Sequence, residues 1–190
     1  MLDKIKFIVC LMIFLNSCSE KRTGSLSLYS FLPTDSEIII NINDLNNTKE
    51  ILNKNKLLEN IIFEKDLIIN QINSLSSRYS DKEGLLTLSS FGKNDIAYTY
   101  IRKLNPEDSI KDSDSIVNQY QKYKIFLDKT NNIETYKTIL KEFIISSNKD
   151  IVLENIIRDF NSSYNNVEDD LLKVSNTIDT DEPFNIISKS

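Results

Sequence analysis

From Pro33 onward, apolar and polar residues follow one another in two rhythms, and each rhythm dictates a kind of element. Ile38, Ile40 and Ile42 alternate with Ile39, Asn41 and Asn43 just after a turn at Pro33–Ser36. Successive side chains of a pleated strand point to opposite faces, so this spacing predicts a strand with one isoleucine face. Asn47 to Glu50 has the composition of a capping box and opens a helix with Ile51, Leu58 and Ile62 on one side. Ile68, Ile72, Leu75 and Tyr79 then recur at steps of three and four residues, the period of a second amphipathic helix, which Gly84 ends. Leu85–Phe91 and Ile96–Leu104 flank Gly92-Lys93-Asn94-Asp95 and read as a hairpin, with Ile96, Tyr98 and Tyr100 on one face. An acidic, serine-rich loop follows at Asn105–Ser115, punctuated by Pro106.

The stretch from Ile116 to Ser147 fits two patterns. Ile116, Tyr120, Tyr123 and Leu127 have helical spacing, whereas Tyr123–Lys129, Ile133–Leu140 and Glu142–Ser147 fit three short strands with a turn at Thr130-Asn131-Asn132. The β-branched Ile144 and Ile145 favour strands, and strands are the reading adopted. After Asn148 as a cap, Val152, Ile156 and Phe160 build a helix with Leu153 and Ile157 beside them. Glu168–Asn176 forms a further helix whose acidic first turn suits the positive end of a helix dipole, and Phe184–Ser188 a last strand. Together these elements predict an α+β domain, an antiparallel sheet of about five to seven strands with the helices of residues 47–79 and 149–161 packed on one face.

Upstream, Lys4 and Lys6 precede an unbroken apolar run, Phe7–Leu15, the pattern of an export signal. At about 1.5 Å per residue the run covers roughly 14 Å, about half the hydrocarbon thickness, too little for a permanent span. Leu15-Asn16-Ser17-Cys18 closes the run and resembles the bacterial lipobox: an apolar residue three before a cysteine and a small one directly before it. The resemblance implies cleavage before Cys18 and alkylation of its sulfur by a diacylglyceryl group. Residues 1–17 are then a signal peptide, 18–30 a lipidated tether and 31–190 a single domain. Ser19, where an aspartate would imply retention at the inner membrane, implies an outer-membrane address. The competing readings are an ordinary secretory signal cut near Ser17 or Ser19, and an uncleaved signal anchor.

Composition matters mainly by what it removes. The chain has 190 residues with 23 Lys and Arg against 28 Asp and Glu, a net charge of −5. The leader's Lys4, Lys6 and Asp3 carry away one net positive charge, leaving the body at −6. An acidic body lacks the clustered cations that neutralise phosphates, so nucleic acid is excluded as a partner. No histidine occurs, which removes Ser-His-Asp and Cys-His nucleophiles, histidine bases and Cys/His zinc sites. Cys10 leaves with the leader and Cys18 takes the lipid, so the body holds neither thiol nor disulfide. The 3 glycines, Gly24, Gly84 and Gly92, cannot form a phosphate-cradling loop or a dinucleotide fingerprint.

Candidate chemistry is confined to carboxylates and tyrosines. Asp112 with Asp114, or Asp179, Asp181 and Glu182, offer oxygen ligands for a cation such as Ca²⁺, but without EF-hand spacing, and they read as solvated loops. Glu168, Asp169 and Asp170 could supply a pair of carboxylates for acid–base work, better explained as helix N-terminal charge. Tyr98, Tyr100, Tyr120, Tyr123 and Tyr136 are candidates for a stacking platform for sugars or peptides, with strand-face packing as the simpler account.

Cys18, the segment FLPTDSEIIININDL (Phe31–Leu45), two helices, a hairpin, and EFIISSNKDIVLENII (Glu142–Ile157) follow in an order that resembles the amino-terminal part of an uncharacterised family of Gram-negative lipoproteins. The resemblance covers most of the body and brings no catalytic residues with it. Members of that family are considerably longer, which implies a truncated relative whose missing part holds the activity. The sequence thus leads to a non-catalytic, lipid-anchored envelope protein without cofactor or metal, attached to the membrane through Cys18, that presents a binding or scaffolding surface to an envelope protein partner. The alternatives are the truncated relative and a carboxylate-based hydrolase.

Overall fold

The computed structural model describes residues 26–54, 65–78, 83–93, 95–105, 115–130, 133–162, 169–178 and 181–188. Eight strands form one antiparallel sheet: β1 (Ile38–Ile42), β2 (Gly84–Phe91), β3 (Asp95–Lys103), β4 (Ser115–Tyr120), β5 (Tyr123–Thr130), β6 (Ile133–Leu140), β7 (Phe143–Ser147) and β8 (Phe184–Ser188). Their order across the sheet is β4-β5-β6-β7-β3-β2-β1-β8. Helices α1 (Leu45–Lys54) and α2 (Lys65–Arg78) lie between β1 and β2 in the chain, and α3 (Asp150–Asn161) and α4 (Asp169–Ser175) between β7 and β8. A 3₁₀ turn at Leu28–Phe31 precedes β1.

The α+β class stands, with a larger sheet than expected. The additional strand is β4, whose Ile116 and Tyr120 share a helical spacing with Tyr123 and Leu127. Gln121 adopts a left-handed φ of 53°, which stops any helix there and folds β4 back on β5 through the two-residue turn Gln121-Lys122. Lys141 does the same, at φ 57°, between β6 and β7. Gly92 turns the β2–β3 hairpin at φ 66°. Gly84 opens β2 instead of ending a helix. A Cβ there would stand 2.7 Å from the Tyr100 ring and 2.8 Å from the carbonyl oxygen of Ile101, so only glycine lets Tyr100 lie flat on the strand.

The expectation that the helices share one face is overturned. Ile40, Ile42, Leu86, Leu88, Tyr98 and Tyr100 are buried with Leu45 and Leu52 of α1 and Ile68, Ile72 and Leu75 of α2. Ile39, Leu85, Ala97, Ile101, Phe143 and Ile145 belong to a second core with Phe31, Leu171 of α4, and Val152, Leu153, Ile156 and Ile157 of α3. Neighbouring residues of a strand face opposite ways, so the first two helices cover one face and the last two, with the 3₁₀ turn, cover the other. Ile39, set among the polar positions by the alternating pattern, is as fully buried as Ile40.

Three local expectations also shift. The cap of α1 is Asp44, whose Oδ1 accepts the Asn47 backbone N–H at 2.9 Å; Asn47 already lies inside the helix. Asn148 does not cap α3: its side-chain amide accepts the Tyr98 N–H and donates to the Ile96 carbonyl, both at 3.0 Å, extending the β7–β3 ladder by one pair of bonds. Residues 26–30, placed in the tether, already pack: Leu26, Leu28 and Tyr29 are partly buried on the α3 core. Beside them Phe31 stacks 4.8 Å from Phe143 and 5.5 Å from Phe160.

Candidate functional site

One row of cross-strand neighbours runs the full width of the sheet on the α1–α2 face: Ile186, Ile40, Leu86, Tyr100, Ser146, Lys137, Phe126 and Ile116. Its first four members are apolar or aromatic and pack beneath or beside the two helices. At β7 the row turns polar with Ser146, and it continues into Lys137. A lysine in the middle of a sheet is costly unless its charge is met. Lys137 Nζ lies 3.7 Å from Asp128 Oδ2, with the two side chains only 9% and 11% exposed. Thr135, the cross-strand partner of Asp128, shares this face, as does Arg102, buried opposite Ile144 with Nη1 donating to the Lys103 carbonyl at 3.0 Å.

Where the apolar half meets the polar half, Gln71, Ser74 and Leu75 of α2 stand over Tyr98, Tyr100, Thr135 and Ser146, leaving a crevice between helix and sheet. Its volume of about 10 Å³ accommodates roughly one water molecule. Amide and hydroxyl groups line it, and a buried ammonium–carboxylate pair lies on the neighbouring strands. Such an arrangement can orient a water or a single polar group of a ligand. It has no thiolate or imidazole to activate a nucleophile.

The residues singled out from the sequence do not assemble into one centre. Cys18, Asp112, Asp114, Glu168 and Asp179 lie outside the described residues. Asp169 and Asp170 are the first two residues of α4. Asp181 and Glu182 are exposed ahead of β8, and the Glu182 backbone carbonyl accepts the Asn43 side-chain amide at 2.6 Å. Among the described residues no group of three acidic, histidine or cysteine side chains is placed to hold a metal ion. The five tyrosines divide between faces: Tyr98 and Tyr100 belong to the α1–α2 core, while Tyr120, Tyr123 and Tyr136 pack against the α3 core, Tyr123 edge-on to Phe160 at 6.3 Å. Their role is packing, and no single platform forms.

Surface charge ties elements together. Lys149, just ahead of α3, bonds the Asp95 carboxylate at the start of β3 and lies 5.1 Å over the Phe91 ring, clamping the hairpin to the helix. Lys149 and the Ile96 N–H hold the Asp95 carboxyl below its ordinary value. Lys54 does the same for Glu50 one helical turn away, and Glu134 raises the Lys129 ammonium across β5 and β6. On the α3 face, burial pushes the Tyr29 hydroxyl up.

The buried pair escapes sequence reading because Lys137 and Asp128 look like ordinary polar positions of alternating strands. The available signal is register: pairing β5 with β6 brings both onto one face of the sheet. No model of a protein family matches the chain, and neither curated proteins nor solved structures include a match.

Proposed function

We propose that this chain is a non-catalytic, lipid-anchored envelope protein, held to a bilayer through Cys18 and presenting a binding or scaffolding surface. The observation that carries the reading is the apolar run Phe7–Leu15 followed at once by Leu15-Asn16-Ser17-Cys18. One further point supports it: Leu26, eight residues beyond Cys18 in the chain, packs on the α3 core, so the candidate anchor lies close to the fold.

One acyl chain anchors only reversibly, whereas two or more hold stably, so a di- or triacylated Cys18 is a lasting attachment. The crevice beneath α2 and the exposed Ile116 and Val117 of β4 are where a surface of this kind would offer contacts. Cys18→Ala is expected to abolish metabolic labelling by fatty acid and to leave the precursor at its unprocessed mobility. An unchanged mobility and membrane fraction in that variant would refute the anchor, and mass spectrometry of the amino-terminal peptide reads the modification directly.

A further inference from the structure

On the α3 face the sheet is covered by two unlike elements. α3 lies over β5, β6 and β7, whereas the 3₁₀ turn at Leu28–Phe31 packs on β2 and β3. The hydrogen bonds of that turn are all its own: the Ser30 N–H donates to the Ser27 carbonyl at 3.0 Å, the Leu32 N–H to the Tyr29 carbonyl at 3.3 Å and the Ser27 N–H to Ser30 Oγ at 3.2 Å. Among the described residues no hydrogen bond ties residues 26–32 to the sheet or to α3. Leu26, Leu28 and Tyr29 hold on by partly buried apolar contact, while Phe31, 1% exposed, is stacked against Phe143 and Phe160. The strip of β2 and β3 on this face presents Thr87, Ser89, Ala97 and Thr99, all buried. Thr87 Oγ1 and the Tyr29 hydroxyl are buried with no hydrogen-bond partner among the described residues, so the closed state costs each of them its hydration.

We infer that residues 26–30 form a strap that lifts off β2 and β3 by local opening, with Phe31 left in place as its fixed end. Lifting breaks no hydrogen bond to the rest of the fold and returns both stranded hydroxyls to water. Only the apolar contacts of Leu26, Leu28 and Tyr29 have to part. A turn of four residues does not persist by itself, so the lifted strap also gives up its own hydrogen bonds. Local openings of this kind need far less free energy than global unfolding. Leu26 is also the first described residue after Cys18. Where that cysteine carries the lipid proposed above, lifting adds five residues of slack between bilayer and domain, roughly 17 Å at full extension, and uncovers Thr87 and Thr99 in the same movement. That consequence rests on the anchor; the strap itself does not.

Hydrogen exchange at neutral pH tests the strap on the full chain with Cys18→Ala, which cannot carry a lipid there, so the outcome is independent of the anchor. The Ser30 and Leu32 amides are expected to exchange about 10-fold or more faster than the amides of β2 and β3. Thr87→Val and Tyr29→Phe each remove a hydroxyl that the closed strap strands, and each is expected to slow Ser30 and Leu32 by about 5-fold. Lys137→Met, which weakens the other half of the sheet, is expected to speed the slowest strand amides and to leave Ser30 and Leu32 unchanged. Should Thr87→Val fail to fold, Tyr29→Phe reads the same closure. Exchange of Ser30 and Leu32 at the pace of β2 and β3 overturns the proposal, as does their acceleration together with the core in Lys137→Met. Fast exchange that neither hydroxyl substitution slows overturns it too, since the turn would then fray with the sheet beneath it still covered.

Discussion

The half of the sheet formed by β8, β1, β2 and β3 and the half formed by β7, β6, β5 and β4 share one plane but solve different problems. The first lies between helices on both faces, so β2 and β3 are each buried over six consecutive residues. The second ends in β4, with Ile116 55% exposed, and carries its charges inward as the Lys137–Asp128 pair. A strand covered on both sides is filled mostly by hydrophobic bulk, with Arg102 of β3 and the threonines Thr87 and Thr99 as buried polar exceptions. A strand with one polar side has freedom to hold specific groups, and the crevice sits on the seam between the two regimes.

That contrast breaks most visibly at Lys137. Lys137→Met removes the ammonium 3.7 Å from the buried Asp128 carboxylate and is expected to cost about 3 kcal/mol, read from the urea midpoint. Adding Asp128→Leu is expected to restore most of the loss, because a well-packed apolar pair often equals a buried ion pair. A Lys137→Met variant as stable as the parent would mean that the pair contributes nothing to this half, and the distinction between the halves would fail.

A hydroxyl pair sharpens the comparison on a smaller scale. Thr87, fully buried in the doubly covered half, has no hydrogen-bond partner for Oγ1 among the described residues, whereas Thr138 in the other half donates to the Lys124 carbonyl at 3.0 Å. Thr87→Val is expected to stabilise by about 1 kcal/mol and Thr138→Val to destabilise by a similar amount, both from chemical denaturation. Changes of the same sign at the two sites would erase the difference.

The smallest effect concerns the clamp between Asp95 and Lys149. The folded state holds this carboxyl below its unfolded value, so the clamp contributes above the ordinary carboxylate range and its contribution is lost as pH falls through the depressed value. Asp95→Asn is expected to flatten that part of the acid limb of the stability curve, and a curve parallel to the parent's would show that the clamp contributes nothing.

Much of the fold was legible in the chain because local rules and burial agreed. The β2–β3 hairpin followed from Gly92 and its flanking alternation, and α3 from the spacing of Val152, Ile156 and Phe160. The errors have a common physical source. Ile39, Leu85 and Leu86 signal burial on both faces, yet alternation around Ile38–Ile42 suggested one, and the helices were gathered on one side accordingly. β4 was hidden because Ile116 and Tyr120 also satisfy a helical period and only the left-handed Gln121 decides between them. The buried ion pair was out of reach for a different reason: its members sit on separate strands, and nothing local marks either as interior. The candidate anchor at Cys18 stands on sequence alone.

The packing of Leu26 has a mechanical consequence for any protein fastened at Cys18. Eight residue steps separate the two positions, and a chain of that length reaches roughly 28 Å at full stretch. A lipid at Cys18 would therefore keep Leu26 within that distance of its point of attachment. Whatever it meets would have to come down to the bilayer to be met.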